Sequence, residues 1–381
     1  MAAQAFRGQT ARAVDPAVAL HASRPHRRTI IEVTYPAHRG RIGLRGSRAP
    51  LSWEHTTQPD RIDGDRCIFT VDVPEGETLE LKLVRGEDAW AQGRNYTVHA
   101  SDHLQLEPAF DRASVELLEP VTIATGETAL TYQVMLPPSY GEQEAKRYPV
   151  LYAQDGQALW TTSPDPFGVW RLDETLNGLL ELAVVQELII VAIDTADRRL
   201  ERLSPVADPK YGGGEAGVHL RALVDVLKPA IDAAYRTRPG REDTGVMGSS
   251  MGGLFSFYAA WTRPDLFGKA ICLSSSFWWG NRAVIRAVEA APSPLPVLYL
   301  DSGAALHPDE PNASAHDGFH HTRAMHRALV RVGYTPADLH RLTFPGQSHN
   351  AASWAARISI PLQLLFPPTP VREAEALTRG A

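Results

Sequence analysis

One hexapeptide limits what this chain can fold into more than any other stretch: Gly248-Ser249-Ser250-Met251-Gly252-Gly253. It follows a short apolar run, Thr244–Met247, and precedes a helix-like run, Leu254–Trp261. The frame G-x-S-x-G is filled by Gly248, Ser250 and Gly252. A serine on a sharp strand-to-helix turn needs small neighbours, because side chains at the flanking positions would collide. Such an elbow exposes Ser250 Oγ and leaves the Met251 N–H at a helix start, where it can donate to a developing oxyanion. The motif therefore asks for strands that alternate with helices around it.

The chain supplies them. Val150–Ala153, Leu188–Ile193, Ala270–Leu273 and Pro296–Leu300 are nearly continuous apolar runs, as strands of a parallel sheet buried on both faces are. Leu172–Leu182, Val218–Tyr235 and Thr322–Val332 carry helical periods, with a kink expected at Pro229. Leu339–Phe344 reads as a last strand and Ala352–Leu365 as a C-terminal helix. The fold class is α/β, with a mostly parallel central sheet. Upstream, Thr29–Tyr35, Arg41–Arg45, Cys67–Val73, Leu79–Val84, Tyr96–His99 and Leu104–Leu106 are short strands with Gly and Pro turns between them, the pattern of a small β-sandwich. The division expected is an N-terminal arm over 1–27, a β-sandwich over 28–115, an α/β domain over 116–371 and a tail over 372–381.

A serine nucleophile needs a base. His349, in Pro345-Gly346-Gln347-Ser348-His349-Asn350, follows the last strand and lies 99 residues after Ser250. The order nucleophile, acid, histidine suits this geometry. His320 and His321 open a helix and read as surface or supporting residues. The acid should sit after the strand Pro296–Leu300, where Asp301, Asp309, Glu310 and Asp317 compete. Asp309 is preferred, on a loop long enough to swing under His349. A Ser–His dyad without a strong third member stays open. Gly156 or Gln157, after Val150–Ala153, could add a second oxyanion donor, with Asp155 bracing the loop as an Asx turn. Phe277, Trp278 and Trp279 follow Ser274-Ser275-Ser276 at a strand end and suggest a substrate wall, with Trp160 and Trp170 opposite. Trp354 is expected to pack the final helix. Asp208–Gly214 is read as a mobile rim of the site, since it lacks a phosphate-loop pattern.

Other chemistries find little support. Acidic residues number 44 and basic residues 38, a formal charge of −6, which argues against a general nucleic-acid binder. Two cysteines, Cys67 and Cys272, make neither a disulfide scaffold nor a cysteine-rich metal site. No metal-ligand spacing and no dinucleotide fingerprint occurs, so no cofactor is expected. No apolar stretch approaches the roughly 20 residues of a membrane span and no leader with an apolar core is visible, so no membrane partner and a cytoplasmic location are expected. Homo-oligomerisation is left open.

From about Thr122 to Phe366 the chain resembles the esterase D-like (putative-esterase) group of α/β-hydrolases, which includes enterochelin, feruloyl and acetyl xylan esterases and S-formylglutathione hydrolases. The resemblance rests on Tyr152–Gln157, Leu227–Asp232, Tyr235–Thr237, Gly248–Leu254, Arg263–Gly268, Ser274–Trp279 and Gly346–Asn350, followed by Trp354 and Arg357. It implies Ser250 as nucleophile and His349 as base. It places the acid a few residues beyond an Asp-x-Gly that matches Asp301-Ser302-Gly303, which points to Asp309. The implied partner is a small-molecule acyl ester, a siderophore lactone or a carbohydrate or feruloyl ester. Acyl transfer and glycan binding without catalysis are the alternatives. The N-terminal domain is similar to starch-binding or early-set modules through Leu79–Val84, Trp90, Gly93 and Asn95-Tyr96. That similarity implies sugar contact through Trp53 and Trp90.

Overall fold

The apolar runs around the elbow assemble side by side. In the computed structural model, which describes residues 25–126, 129–195, 197–307, 309, 313–368 and 372–373, nine strands form one sheet. They are β1 (Glu116–Leu117), β2 (Val121–Ala124), β3 (Ala129–Leu136), β4 (Val150–Gln154), β5 (Ile189–Ile193), β6 (Thr244–Ser249), β7 (Lys269–Leu273), β8 (Val297–Ala304) and β9 (Leu339–Pro345). Their order across the sheet is β2-β3-β5-β4-β6-β7-β8-β9, with β1 beside β3. From β5 to β9 every pairing is parallel, and the pairings of β1, β2 and β3 are antiparallel.

Period-2 alternation divides the buried side chains between the two faces. Val150, Tyr152, Val246 and Cys272 join one core with Leu254 and Phe255, whereas Leu151, Ala153, Met247 and Ile271 join another with Ile358 and Leu362. Helices thus cover both faces, the condition under which a parallel sheet is stable. Burial pushes the Cys272 thiol up, so that it is a small inert hydrophobe. The C-terminal ends of β4, β6, β7, β8 and β9 share one edge, where ligands of open α/β sheets bind.

The expected helix over Val218–Tyr235 is three pieces: Ala216–Arg221, a π-helical stretch Ala222–Leu227, and Lys228–Ala234. Pro229 falls in the first turn of the last piece, where its missing N–H costs little. His219, on the first piece, is buried with Nε2 2.9 Å from Gln154 Oε1 and its ring 4.8 Å from Phe255. Burial, aided by Arg202, pushes its pKa down to about 3. An unfolded histidine titrates near 6.5. Below that pH the unfolded chain takes up a proton that folded His219 refuses. Its contribution is complete above about 6.5 and drains as pH falls toward about 3, at roughly 1.4 kcal/mol per pH unit. Urea midpoints measured from neutral pH down to about 4.5 should fall less steeply in His219→Gln than in wild type.

Residues 25–91, with Asn95–Pro108 and the strand Arg372–Glu373, make a separate unit of two β-sheets. One sheet holds His26–Thr34, Arg61–Asp63, Arg66–Pro74 and Asp102–Leu106, and the other Ile42–Gly46, Thr78–Arg85, Ala89–Trp90 and Tyr96–His99. Leu79, Leu81 and Leu83 are buried while Thr78 and Glu80 are exposed, as alternation requires. Arg372–Glu373, expected in a tail, pairs with Asp102–Leu106 instead. Most of the expected arm, residues 1–24, lies outside the described residues.

Candidate active site

Backbone geometry at the end of β6 explains the glycines. Ser250 has φ 55° and ψ −116°, a conformation that costs a side-chain-bearing residue of order 1–3 kcal/mol and that surrounding structure must enforce. The enforcement is visible. Ser250 N–H donates to Leu273 O at 2.9 Å, and Ser250 O accepts from Ser276 N–H at 3.0 Å. A Cβ at Gly248 would lie 2.4 Å from the Gly252 carbonyl carbon, and one at Gly253 would lie 2.4 Å from Ser275 Oγ. The strand and the helix Met251–Thr262 therefore touch through bare backbone, and Ser250 is lifted between them.

His349 sits beyond β9, just before the helix Ala351–Arg357, whose N-terminus Asn350 caps by accepting from Ser353 N–H at 2.9 Å. His349 Nε2 is 2.9 Å from Ser250 Oγ, and Nδ1 is 2.6 Å from Asp317 Oδ1. The acid beside His349 is thus Asp317 and not Asp309, which lies exposed in a turn; Glu310 lies outside the described residues. A short helical turn, Ala313–Gly318, folds the loop back so that an acid 16 positions after Asp301 returns to the strand end. Of the four acids only Asp317 is followed by glycine, and Gly318 adopts φ 68°. That Asp-Gly step was the available signal.

Asp317 has no solvent-exposed side-chain surface. Burial pushes its carboxyl up, but hydrogen bonds from His349, Ser274 Oγ and Gly303 N–H outweigh burial and hold it below the ordinary carboxylate value. Arg357, wholly buried, braces this arrangement. Its Nε lies 3.1 Å from Asp301 Oδ2, its Nη1 donates to Gln347 Oε1 at 3.1 Å, and its Nη2 reaches Ser274 Oγ and, at 3.4 Å, Asp317 Oδ2. Asp301 is not beside His349. It is sealed under the site, where burial, despite Arg357, pushes its pKa up to about 6.

Met251 N–H opens the helix and is among the donors that lack an intrahelical partner. Gly156 is pressed against β5, where a Cβ would come within 2.7 Å of the Ala192 carbonyl carbon. Gln157 faces the cavity beside Ser250. Asp155 does not brace the loop as an Asx turn. It adopts φ 60° and binds Thr195 Oγ1 at 2.5 Å and, through both oxygens, Arg199 at 2.7 Å. A bidentate guanidinium fixes carboxylate orientation as well as position.

Two cavities meet at Ser250 and His349. The larger, about 550 Å³, is lined by Phe167, Trp170, Ala351, Trp354 and Arg199. The smaller, about 410 Å³, is lined by Ser274, Ser275, Ser276, Trp278 and His321. Of the aromatic residues expected as walls, Trp170 and Trp278 take that place. Trp160 and Phe277 are core residues, because their rings fill the space against the sheet. Trp279 is also buried, its indole donating to Val206 O at 2.7 Å. Trp354, expected only to pack the last helix, has its ring centroid 5.1 Å from that of His349. Across the segment Asp208–Gly214, Ala207–Asp208 pairs antiparallel with Gly212–Gly213. Trp53 and Trp90 lie on the other unit, 37% and 39% exposed, with ring centroids 6.3 Å apart. Among the described residues, no group of three acidic, histidine or cysteine side chains could hold a metal, and no helix is long and apolar enough to cross a membrane.

Residues 124–359 match the profile of the family described as Putative esterase. The chain is 24% identical over 239 residues to the uncharacterized protein YbbA of Bacillus subtilis, covering 58% of this chain and 91% of that protein. It is 29% identical over 252 residues to the iron(III) enterobactin esterase of Escherichia coli, covering 60% of this chain and only 59% of that enzyme. The structure of the siderophore hydrolase EstB from Aspergillus nidulans superposes with a TM-score of 0.51 at 22% identity, over 68% of this chain and 97% of that one, a likeness of fold. The fold is that of an α/β-hydrolase accompanied by an N-terminal β domain. With more than half of its length matched by that profile, the chain belongs to the Putative esterase family.

Proposed function

We propose that this chain is a serine carboxylic ester hydrolase that works through an acyl-enzyme. The observation that carries the reading is the continuous hydrogen-bonded line Asp317–His349–Ser250, at 2.6 and 2.9 Å. In the proposed reaction His349 Nε2 takes the proton as Ser250 Oγ bonds to the carbonyl carbon. Met251 N–H and the Gly156–Gln157 loop receive the oxyanion. His349 then protonates the departing alcohol oxygen. Water deprotonated by His349 attacks the acyl-enzyme, and the carboxylic acid leaves as Ser250 recovers its proton. Asp317 keeps Nδ1 protonated and stabilises the imidazolium, which requires it to be ionised; its lowered pKa provides this.

The larger cavity, which sets Phe167, Trp170 and Trp354 beside Arg199 and Asp165, suits an acyl group whose aromatic ring carries polar substituents, as in feruloyl esters or catecholate-bearing siderophore lactones. The test is a panel of p-nitrophenyl, feruloyl, acetyl-sugar and catecholate-lactone esters, with a burst experiment on the p-nitrophenyl ester. The expected burst equals the enzyme concentration and a mass increment appears on the Ser250 peptide. A label elsewhere, or turnover with no acylated serine, overturns the proposal.

A glycan contact is favoured on the N-terminal unit by the exposed pair Trp53 and Trp90, with the Arg45 guanidinium 5.2 Å from the Trp90 ring. Exposed indoles stack on sugar rings, and Trp90→Ala should weaken retardation in polysaccharide-containing native gels several-fold. Equal mobility of both proteins at all polysaccharide concentrations counts against it.

A further inference from the structure

A carboxylate taken out of water needs donors from the protein, both to stay ionised and to keep one oxygen turned toward its partner. Asp317 has no solvent-exposed side-chain surface, and donors converge on its Oδ2: Ser274 Oγ at 2.6 Å, Gly303 N–H, and Arg357 Nη2 at 3.4 Å. Its Oδ1 lies 2.6 Å from His349 Nδ1. Gly303 and Arg357 can only donate. Ser274 is different, because a hydroxyl both donates and accepts, and it rotates. Turned the wrong way, it would set a lone pair against Oδ2 and push the carboxyl toward its protonated form.

The surroundings of Ser274 remove that freedom. Its backbone is held at φ 41°, where its N–H donates to Asp301 Oδ1 at 3.0 Å and to Asp301 O at 3.1 Å. Its Oγ accepts from Trp354 Nε1 at 3.0 Å and from Arg357 Nη2. Trp354 and Arg357 are three positions apart on the helix Ala351–Arg357, the spacing that puts two side chains on one face. An indole N–H and a guanidinium have no acceptor, and a hydroxyl has two acceptor positions and one hydrogen. With both acceptor positions filled, the hydrogen is left for Asp317 Oδ2. We propose, resting on the serine-esterase reading, that Ser274 is a positioning residue: its hydroxyl, with its direction set by Trp354 and Arg357, keeps Asp317 ionised and Oδ1 turned to His349.

Two consequences follow from this arrangement. Asp317 must carry its charge when His349 takes the proton of Ser250, and a carboxyl that has lost the Ser274 donor holds its own proton harder. The base is then lost at a higher pH. Ser274 also borders the smaller cavity, but its hydrogen and both acceptor positions are already taken, so its hydroxyl has nothing left to offer a substrate. Removing it should therefore act on turnover and pH dependence and spare substrate binding.

The test measures kcat and KM for one p-nitrophenyl ester across pH in the wild type, Ser274→Ala, Ser274→Gly, Trp354→Phe and the double variant Ser274→Ala with Trp354→Phe. Ser274→Ala is expected to lower kcat by about tenfold or more at nearly unchanged KM, the scale of one hydrogen bond to a charged group. The acidic limb of its kcat/KM profile should move up by about one pH unit, the same quantity read as a titration. Ser274→Gly removes the same hydroxyl but suits φ 41°, so an equal shift there ties the effect to the hydroxyl and not to a strained or misfolded turn. Trp354→Phe keeps a ring beside His349 and deletes the indole donor. Its smaller shift should disappear in the double variant, because it acts through Ser274. Burst amplitude reports the folded fraction of each protein. An acidic limb that stays in place in both Ser274 variants overturns the proposal. So does a raised KM at unchanged kcat, which would put the hydroxyl on the substrate, and so does a Trp354→Phe shift that persists without Ser274. Failure of the serine reading looks different, because the wild type itself would then show no burst.

Discussion

Replacing Ser250 with alanine should lower kcat by about a millionfold on any ester that the wild type turns over, the scale on which a serine hydrolase loses rate without its nucleophile. Fold and stability should survive, because Ser250 holds its neighbours through its backbone N–H and O and, among the described residues, its hydroxyl meets His349 and Ser276 alone. Alanine keeps the Cβ, so the strain at this φ is the same in both proteins. Circular dichroism and a urea midpoint near wild type, with no burst, are the expected pattern. Substantial turnover by folded Ser250→Ala would remove the elbow from the chemistry and leave only the fold.

The second large effect separates two aspartates that the sequence ranks the other way. Asp317→Asn keeps the shape of the side chain but replaces an ionised acceptor with a neutral amide that can present an N–H to His349 Nδ1. That stabilises the wrong tautomer, for which losses near ten thousandfold in kcat are characteristic. Asp309→Asn, on an exposed turn, should leave kcat within about twofold, as surface changes away from a site generally do. Kinetics of both variants on one p-nitrophenyl ester decide the matter. If the Asp309 variant falls and the Asp317 variant does not, the observed line through His349 is not the one used in turnover.

Residues whose placement is set by local chain geometry were legible in the sequence. Ser250 was, because the turn that displays it demands Gly248, Gly252 and Gly253 nearby in the chain. So were the buried strands, because burial on both faces writes itself as an uninterrupted apolar run. His349 was legible because a histidine just past the last strand has few other places to go. The acid was not. Its position depends on how a long loop folds back, and a carboxylate in a loop looks the same whether it is solvated or enclosed by Ser274, Gly303 and Arg357. The aromatic residues divide in the same way. Phe277, Trp278 and Trp279 are adjacent in sequence, yet only Trp278 opens to a cavity, since the turn sends the other two into the interior.

In the sequence Arg357 stands out only as part of a resemblance, and its place in the structure gives the C-terminal helices a kinetic meaning. The short helix that begins after Asn350 carries at its far end the one guanidinium that joins Asp301, Gln347, Ser274 and Asp317. Segments of a domain can open locally before the whole unfolds. Any such fraying here would withdraw the cation first and loosen acid and base together while the sheet stood intact. On the serine-esterase reading, activity would then fall ahead of melting, and catalytic decay, not ellipticity, would mark the onset of heat damage.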